Sequence, residues 1–214
     1  MSNKKRKKGI YERYIKRLLD IILSLTAIIL ISPVLIIVAI LVRVKLGSPI
    51  IFKQKRVGLD GKIFTMSKFR SMSNKKDADG NLLPDEQRLT SFGKALRRSS
   101  LDELPELFNI LNGDLSLIGP RPYLPEYLPY YTEEEMHRHD VRPGLSGLAQ
   151  VNGRNASTWE ESFKWDLKYV NNITFLGDMK IVFMTFYKVI KRADVLMGDE
   201  KTVGRLDDER RGEK

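Results

Sequence analysis

From Ile21 to Val42 the chain runs twenty-two residues without a charge, and Ser32-Pro33 stands near the middle of that run. At about 1.5 Å per residue, an unbroken helix of this length just spans a hydrocarbon core of about 30 Å. Three features argue against a plain crossing. Pro33 lacks a backbone donor and its ring presses on the carbonyl of Ile29, which costs about 3 kcal/mol inside a helix. Ser32 is placed to bond a carbonyl freed in this way, as happens where helices break in lipid. Both flanks are basic, with Lys4, Lys5, Arg6, Lys7, Lys8, Arg13, Lys16 and Arg17 before the run and Arg43, Lys45, Lys53, Lys55 and Arg56 after it. The positive-inside bias then holds both ends on the cytoplasmic side. The pattern predicts a re-entrant helix-break-helix that enters and leaves by one face, with a kinked single crossing as the alternative. A cleaved signal does not fit, because the run exceeds the usual ~7–15 residues and no small-residue cleavage site follows. A soluble core helix does not fit either, since the run has no polar face.

The remaining chain bounds the rest. Of 214 residues, about 150 lie outside the apolar segment and ragged ends, enough for one domain. The net charge of +10 suits nucleic acid, an anionic membrane surface or a phosphorylated substrate. Its densest part adjoins the apolar run, which favours the membrane surface. No cysteine is present, so disulfides and thiolate metal sites are excluded and a cytoplasmic face is expected. The predicted organisation is a basic arm over 1–17, the membrane segment over 18–46, a cytoplasmic-face domain over 47–195 and a charged, apolar-poor tail over 199–214 read as disordered.

Within the domain, Ile50-Ile51-Phe52 and Ile63-Phe64-Thr65-Met66 flank Gly58-Leu59-Asp60-Gly61 and predict a hairpin. A polar loop covers Ser73 to Asp85, and a short amphipathic helix covers Leu89 to Arg98. The next helix holds Asp102-Glu103 at its start, with either Ser100 or Asp102 as its cap, and stops at Asn112-Gly113. An acidic helix is expected from Glu126 to His139, another helix from Trp159 to Tyr169, and a strongly apolar one from Leu176 to Ile190. That last helix either lies in the membrane interface or enters the core. The fold class is mainly α with a small β-hairpin (α+β), with the re-entrant segment and interfacial amphipathic helices.

Candidate chemistry concentrates on two features. Asp102-Glu103 at a helix start is often only dipole compensation. As a functional pair, Asp102 is a carboxylate nucleophile kept ionised by the helix terminus and by Arg97 and Arg98, while Glu103 holds a divalent cation or a proton. Gly119-Pro120-Arg121-Pro122 fixes one guanidinium between two prolines, which suits bidentate phosphate recognition. Arg142 and Arg154 repeat the placement of arginines on constrained loops, and Lys68 and Arg70 add positive charge at the hairpin's exit. Together they describe a site for a polyanion, such as a nucleotide diphosphate, rather than for a neutral ligand. No GxxxxGK[ST] loop, GxGxxG unit or GxSxG elbow occurs. His137 and His139 are read as solvated, and Asp178 after Gly177 as a helix cap.

Taken together, these segments resemble a known family. They are the Ser-Pro break, Lys68-Phe69-Arg70-Ser71-Met72, Ser100-Leu101-Asp102-Glu103-Leu104-Pro105-Glu106-Leu107 with Asn109, Gly113 through Pro122, and Arg142-Pro143-Gly144 with Gln150 through Arg154. The chain resembles the bacterial sugar transferases, and more narrowly the small monotopic polyprenyl-phosphate phosphoglycosyl transferases, from about residue 10 to 195. The resemblance implies transfer of a sugar 1-phosphate from a UDP-sugar to undecaprenyl phosphate, with UMP released and the phosphosugar held on Asp102. It implies Mg²⁺ at Asp102 and Glu103, substrate contacts from Lys68, Arg97, Arg121 and Arg154, and a site role for Asp178. It also implies a bacterial inner-membrane location with the catalytic face toward the cytoplasm, in contact with membrane lipids and other enzymes of a glycan pathway. Nucleic acid is not an expected partner, as no reading helix or stacking platform is apparent. A non-catalytic membrane scaffold of a polysaccharide-assembly complex is the competing class, and it leaves the constrained arginines unexplained. The sugar, the pathway and the oligomeric state are not legible.

Overall fold

The computed structural model describes residues 8–152, 158–191 and 204–211. After a π-helical turn at Tyr11–Ile15, α1 runs from Lys16–Leu46 as one helix with Pro33 inside it. The expected helix-break-helix is therefore a continuous helix. The defect is repaired locally: Ser32 Oγ donates to the carbonyl of Ile29 at 2.9 Å, the group that Pro33 leaves without its amide. Among the described residues, Tyr11–Leu46 is the one helix long and apolar enough to cross a bilayer, by length and composition alone.

One stripe of α1 packs on the domain along its whole length. Arg17, Asp20, Ser24, Ile28, Ile31, Leu35, Val38, Val42 and Leu46 recur at three- and four-residue intervals, the period of one helix face. Ala27, Ile28 and Ile31 meet Leu107, Ile110 and Leu115. Further along, Val38 and Val42 are buried against Phe69 and Leu96. The opposite face exposes Ile22, Leu25, Ile29, Leu30, Ile36, Ile37 and Ile40. Polar anchors fix both ends. Arg17 donates to the carbonyls of Ile110 and Leu111 at 2.6 and 2.9 Å. Asp20 accepts from the amide of Leu117 at 2.9 Å. At the far end Arg70 donates to the last carbonyl of α1, Leu46, and to that of Ser48.

The predicted hairpin is present. β1 (Ile51–Val57) and β2 (Ile63–Phe69) pair antiparallel from Ile51↔Phe69 to Val57↔Ile63. Asp60 and Gly61 take positive φ in the connecting turn. Next come α2 (Asp85–Arg88) and α3 (Ser91–Arg98), the latter capped by Thr90, whose hydroxyl accepts from Gly93. The chain then enters α4 (Glu106–Asn112), which ends in the left-handed Gly113.

β3 (Ser116–Ile118) lies parallel to β4 (Gly144–Ser146). This pairing, not anticipated from the sequence, brings the Gly119–Pro122 loop against the Arg142–Gly144 loop. The backbones cross so closely that a Cβ on Gly144 would lie 2.1 Å from the amide nitrogen of Gly119. Between these strands the single acidic helix expected over Glu126–His139 is divided. Pro125–Tyr130 is a 3-10 segment with Pro129 inside it. A Thr132–Glu135 capping box then starts the short α5 (Glu133–Met136), and a second 3-10 turn covers His137–Asp140. His139 is also not solvated. It is buried beside Arg138, and burial followed by that positive charge pushes its pKa down to about 3.

Three helices follow: α6 (Leu148–Asn152), α7 (Trp159–Asn171) and α8 (Phe175–Lys191). Tyr169, Val170, Ile173 and Ile181 close a core with Ile118, Val141 and Val151. α8 enters the core by one face and leaves the other exposed. Ile181 is buried, whereas Leu176, Phe183, Phe186 and Tyr187 face outward. Residues 204–211, inside the stretch read as a disordered tail, are folded: α9 (Leu206–Glu209) buries Leu206 completely against Tyr127, Trp159 and Phe163. Arg210 fastens it to Glu135 at 2.7 Å.

Candidate functional site

Asp102 and Glu103 sit in a 3-10 turn, Leu101–Glu103, between α3 and α4. Neither capping register read from the sequence occurs. Ser100 adopts a left-handed conformation with φ of 54° and its side chain caps nothing. Such a backbone costs of order 1–3 kcal/mol in a non-glycine residue and tends to occur where a side chain must be aimed. Here it turns the chain from α3 so that the next carboxylates point toward β2.

Asn109 sets the distance between α4 and β2. Its amide nitrogen donates to the carbonyl of Thr65 at 2.8 Å, and its oxygen accepts from the amide of Ser67 at 3.1 Å. Thus clamped, β2 delivers Lys68 between two carboxylates: Lys68 Nζ lies 2.6 Å from Glu103 Oε1 and 3.1 Å from Glu106 Oε1. Burial alone would depress the Lys68 pKa, but Glu103 and Glu106 outweigh it and raise it. Burial likewise opposes ionisation of Glu103, yet Lys68 and Arg121 hold its carboxyl below the ordinary range. Glu106 goes the other way: burial, only partly offset by Lys68, pushes it up to about 7.

Asp102 is also displaced upward. Burial first, then the Glu103 charge, overcome Lys68 and Arg97 and raise its pKa to about 6. This reverses the expectation that nearby arginines stabilise its anion. The carboxylate is ionised at neutral pH but poorly solvated, a condition that favours nucleophilic attack. Arg98, invoked with Arg97 for that stabilisation, is exposed on α3, whereas Arg97 donates from Nε to Ser71 Oγ at 2.9 Å.

The Gly119–Pro122 loop brings Arg121 to the same place, and a buried cation holds the loop. Arg138 Nη2 donates to the carbonyl of Arg121 at 2.7 Å and to Asp166 Oδ2 at 2.6 Å. Its guanidinium lies 4.4 Å from the centroid of the Tyr123 ring. Arg138 and Asp166 are each about 1 % exposed at the side chain. Sequence reasoning missed this pair, because a charge in an acidic stretch and another within a helix carry no mark of burial.

Lys68, Arg97, Asp102, Glu103 and Arg121 all line one open cavity of about 1500 Å³. Its other wall is apolar and includes Leu35, Ile36 and Ala39 of α1 together with Ile51, Phe52 and Phe108. One expected site residue that the structure describes is not in it. Asp178 is buried elsewhere, accepting from Tyr11 at 2.7 Å, Lys16 at 2.6 Å and Tyr169 at 2.9 Å. It is an anchor that ties α8 to the foot of α1, as its lack of solvent access requires a full set of donors. Arg154 lies outside the described residues. Arg142 is also structural, donating to the carbonyl of Gly113 at 2.9 Å.

Among the described residues no three Asp, Glu or His side chains gather as a metal cage. Mg²⁺ does not require one, since it is commonly held by one or two carboxylates plus substrate phosphate. The carboxylates here fit that use. Asp102 and Glu103 are adjacent oxygen donors on the same open cavity, a donor set suited to Mg²⁺.

Comparison with known proteins agrees with this chemistry. A family model described as bacterial sugar transferase matches residues 11–192. The chain is 48% identical over 192 residues to the uncharacterized sugar transferase EpsL of Bacillus subtilis (strain 168), covering 90% of this chain and 95% of that protein. It is 41% identical to the UDP-glucose:undecaprenyl-phosphate glucose-1-phosphate transferase of Klebsiella pneumoniae, over 81% of this chain but 39% of that protein. It is 36% identical to the undecaprenyl-phosphate galactose phosphotransferase of Salmonella typhimurium, over 84% of this chain and 41% of that protein. The chain thus spans less than half of those two longer relatives.

Proposed function

Because this chain belongs to the bacterial sugar transferase family, we propose that it transfers a sugar 1-phosphate from a UDP-sugar to undecaprenyl phosphate at a membrane surface, as an early step of polysaccharide assembly. One observation carries this most directly: a single cavity joins a carboxylate–cation cluster to an apolar wall formed by the membrane helix. A soluble nucleotide sugar needs the first surface and a polyprenyl phosphate needs both. A neutral or wholly soluble substrate would need neither the clustered charges nor α1.

The chemistry divides into two displacements at one phosphorus. A carboxylate oxygen of Asp102 attacks the sugar-bearing phosphate, a P–O bond to the other phosphate breaks, and UMP leaves with that bond's electron pair. A phosphate oxygen of undecaprenyl phosphate then attacks the same phosphorus, breaks the acyl-phosphate bond and restores the Asp102 carboxylate. Poor solvation raises the energy of the attacking anion relative to the transition state, in which its charge is dispersed. Lys68 and Arg97, whose charges act on Asp102, stabilise the developing phosphoryl charge. Glu103 holds Lys68 in place by the 2.6 Å contact. Mg²⁺, held by Asp102 and Glu103 with substrate phosphate, would supply further neutralisation of phosphate charge.

The packing of α1 supports a re-entrant placement. Its N-terminal half rests on α4 and its C-terminal half on β2 and α3, so both ends stay with the domain while the outer face meets lipid. The outward Leu176, Phe183 and Phe186 of α8 fit the same interface, and the basic flanks favour the cytoplasmic face. The relatives' names include glucose and galactose, so the sugar is left to experiment. The test is UMP release from a panel of UDP-sugars by the full chain in detergent, with undecaprenyl phosphate and Mg²⁺. Lipid-dependent UMP release with one or a few sugars is expected, and no release with any would overturn the assignment. Cysteines placed singly at Ser2 and Ser48 should both label from the cytoplasmic side only; opposite accessibility would establish a single crossing.

A further inference from the structure

The cations of the cavity are not equally committed. Lys68 already contacts two carboxylates, and Arg97 bonds Ser71. Arg56, on β1 opposite Phe64, is different. Its Nη2 donates to Gln54 Oε1 at 2.6 Å, while its Nε is enclosed without any hydrogen-bond partner. Neither Arg56 nor Arg121 forms an ion pair among the described residues. Both line the large cavity, and both also line a small neighbouring cavity of about 20 Å³ with Lys68, Glu103 and Glu106. They are close enough to repel: burial first, and then the Arg121 charge, depress the Arg56 pKa.

Two guanidiniums thus face one space, and one of them has an unpaired donor. A phosphate is the natural bridge, because its oxygens accept the paired donors of both forks. Position indicates which phosphate. The positive charges that bear on Asp102 are those of Lys68 and Arg97, so the phosphorus under attack belongs to that side. Arg56 and Arg121 share the small cavity with Glu103 and Glu106, whereas Asp102 does not line it. We propose that Arg56, oriented by Gln54, pairs with Arg121 to bind the nucleotide phosphate that departs as UMP. Arg56 is thereby a substrate-binding residue of the first displacement, gripping the leaving group while Lys68 and Arg97 serve the transferred phosphoryl group. This inference rests on the transferase reading.

The test uses the full chain in detergent and measures binding of UMP, of uridine and of undecaprenyl phosphate to the native protein and to Arg56→Gln. Losing hydrogen bonds to a charged group predicts about a tenfold to hundredfold weaker UMP affinity, with uridine and lipid binding unchanged. Arg56→Lys, which keeps the charge but loses the fork, should fall between. Equal weakening toward UMP and uridine, or no change toward UMP, overturns the proposal. A loss confined to undecaprenyl phosphate also overturns it, and assigns the pair to the lipid phosphate. If Arg56→Gln does not fold, the same readings are taken from Arg56→Lys. A native protein that neither binds nor releases UMP refutes the transferase reading itself, whereas native UMP binding indifferent to Arg56 refutes only this assignment.

Discussion

Asp102→Asn is expected to abolish turnover and yet stabilise the fold at neutral pH. The native carboxyl, buried beside Glu103, has its pKa raised to about 6. An aspartate lifted that far from its unfolded value of about 3.9 carries about 2–3 kcal/mol against its ionised form in the folded state. The sign follows from linkage. The folded protein holds this proton more tightly than the unfolded chain, so the group's favourable contribution is complete below about pH 4 and is lost as pH rises through about 6. Asparagine is nearly isosteric and never ionises, so the variant escapes the penalty. For a chain of this size, the gain corresponds to roughly 5–10 °C in thermal midpoint. The assay is thermal unfolding of both proteins in one detergent, without divalent cation, at pH 7.5 and again near pH 4. The variant should be more stable at pH 7.5 and indistinguishable near pH 4. A variant less stable than the native protein at pH 7.5 would refute the claim that Asp102 is held as a strained anion.

Asp178→Asn should behave oppositely: Lys16 loses its partner at 2.6 Å in a buried setting, and a loss of about 3–5 kcal/mol is expected in the same unfolding assay. Single-turnover formation of the phosphosugar adduct should fall about tenfold per pH unit below about pH 6, as Asp102 becomes protonated; a flat profile from pH 7.5 to 5 would contradict its role. Arg138→Met strands Asp166 in the interior and releases the Arg121 carbonyl. It should cost about 3–5 kcal/mol, and in the protein that remains folded it should raise the KM for the UDP-sugar, measurable by UMP release at 20 °C.

The parts legible in the sequence were those whose signal is local. Alternating apolar residues around Gly58-Leu59-Asp60-Gly61 specify the hairpin, and the uncharged run specifies α1. The grouping of Lys68, Arg97 and Arg121 around Asp102 and Glu103 is expected from the family resemblance, and the cavity brings them together. What sequence could not supply was burial. His139 reads as solvated and nothing marks Arg138 or Asp166, yet Tyr123, Tyr131 and Phe163 close around Arg138. Desolvation is also why the sign of the Asp102 shift was misjudged: neighbouring cations are visible in a sequence, but loss of water is not. Asp178 was drawn into the site by family resemblance, although its three donors, Tyr11, Lys16 and Tyr169, make it a tie between distant helices. Leu206 is a similar case, since one apolar side chain within a charged stretch gives no hint of the aromatic socket that receives it.

Covalent transfer through Asp102 is tested most directly by incubating the protein with its UDP-sugar and Mg²⁺ in the complete absence of undecaprenyl phosphate, following UMP and the intact protein mass together. A burst of UMP approaching one equivalent is predicted, with a matching sugar-phosphate mass increment that maps to Asp102, disappears on adding the lipid phosphate, and is missing in Asp102→Asn. Steady turnover that needs both substrates bound at once, with neither burst nor adduct, would contradict it.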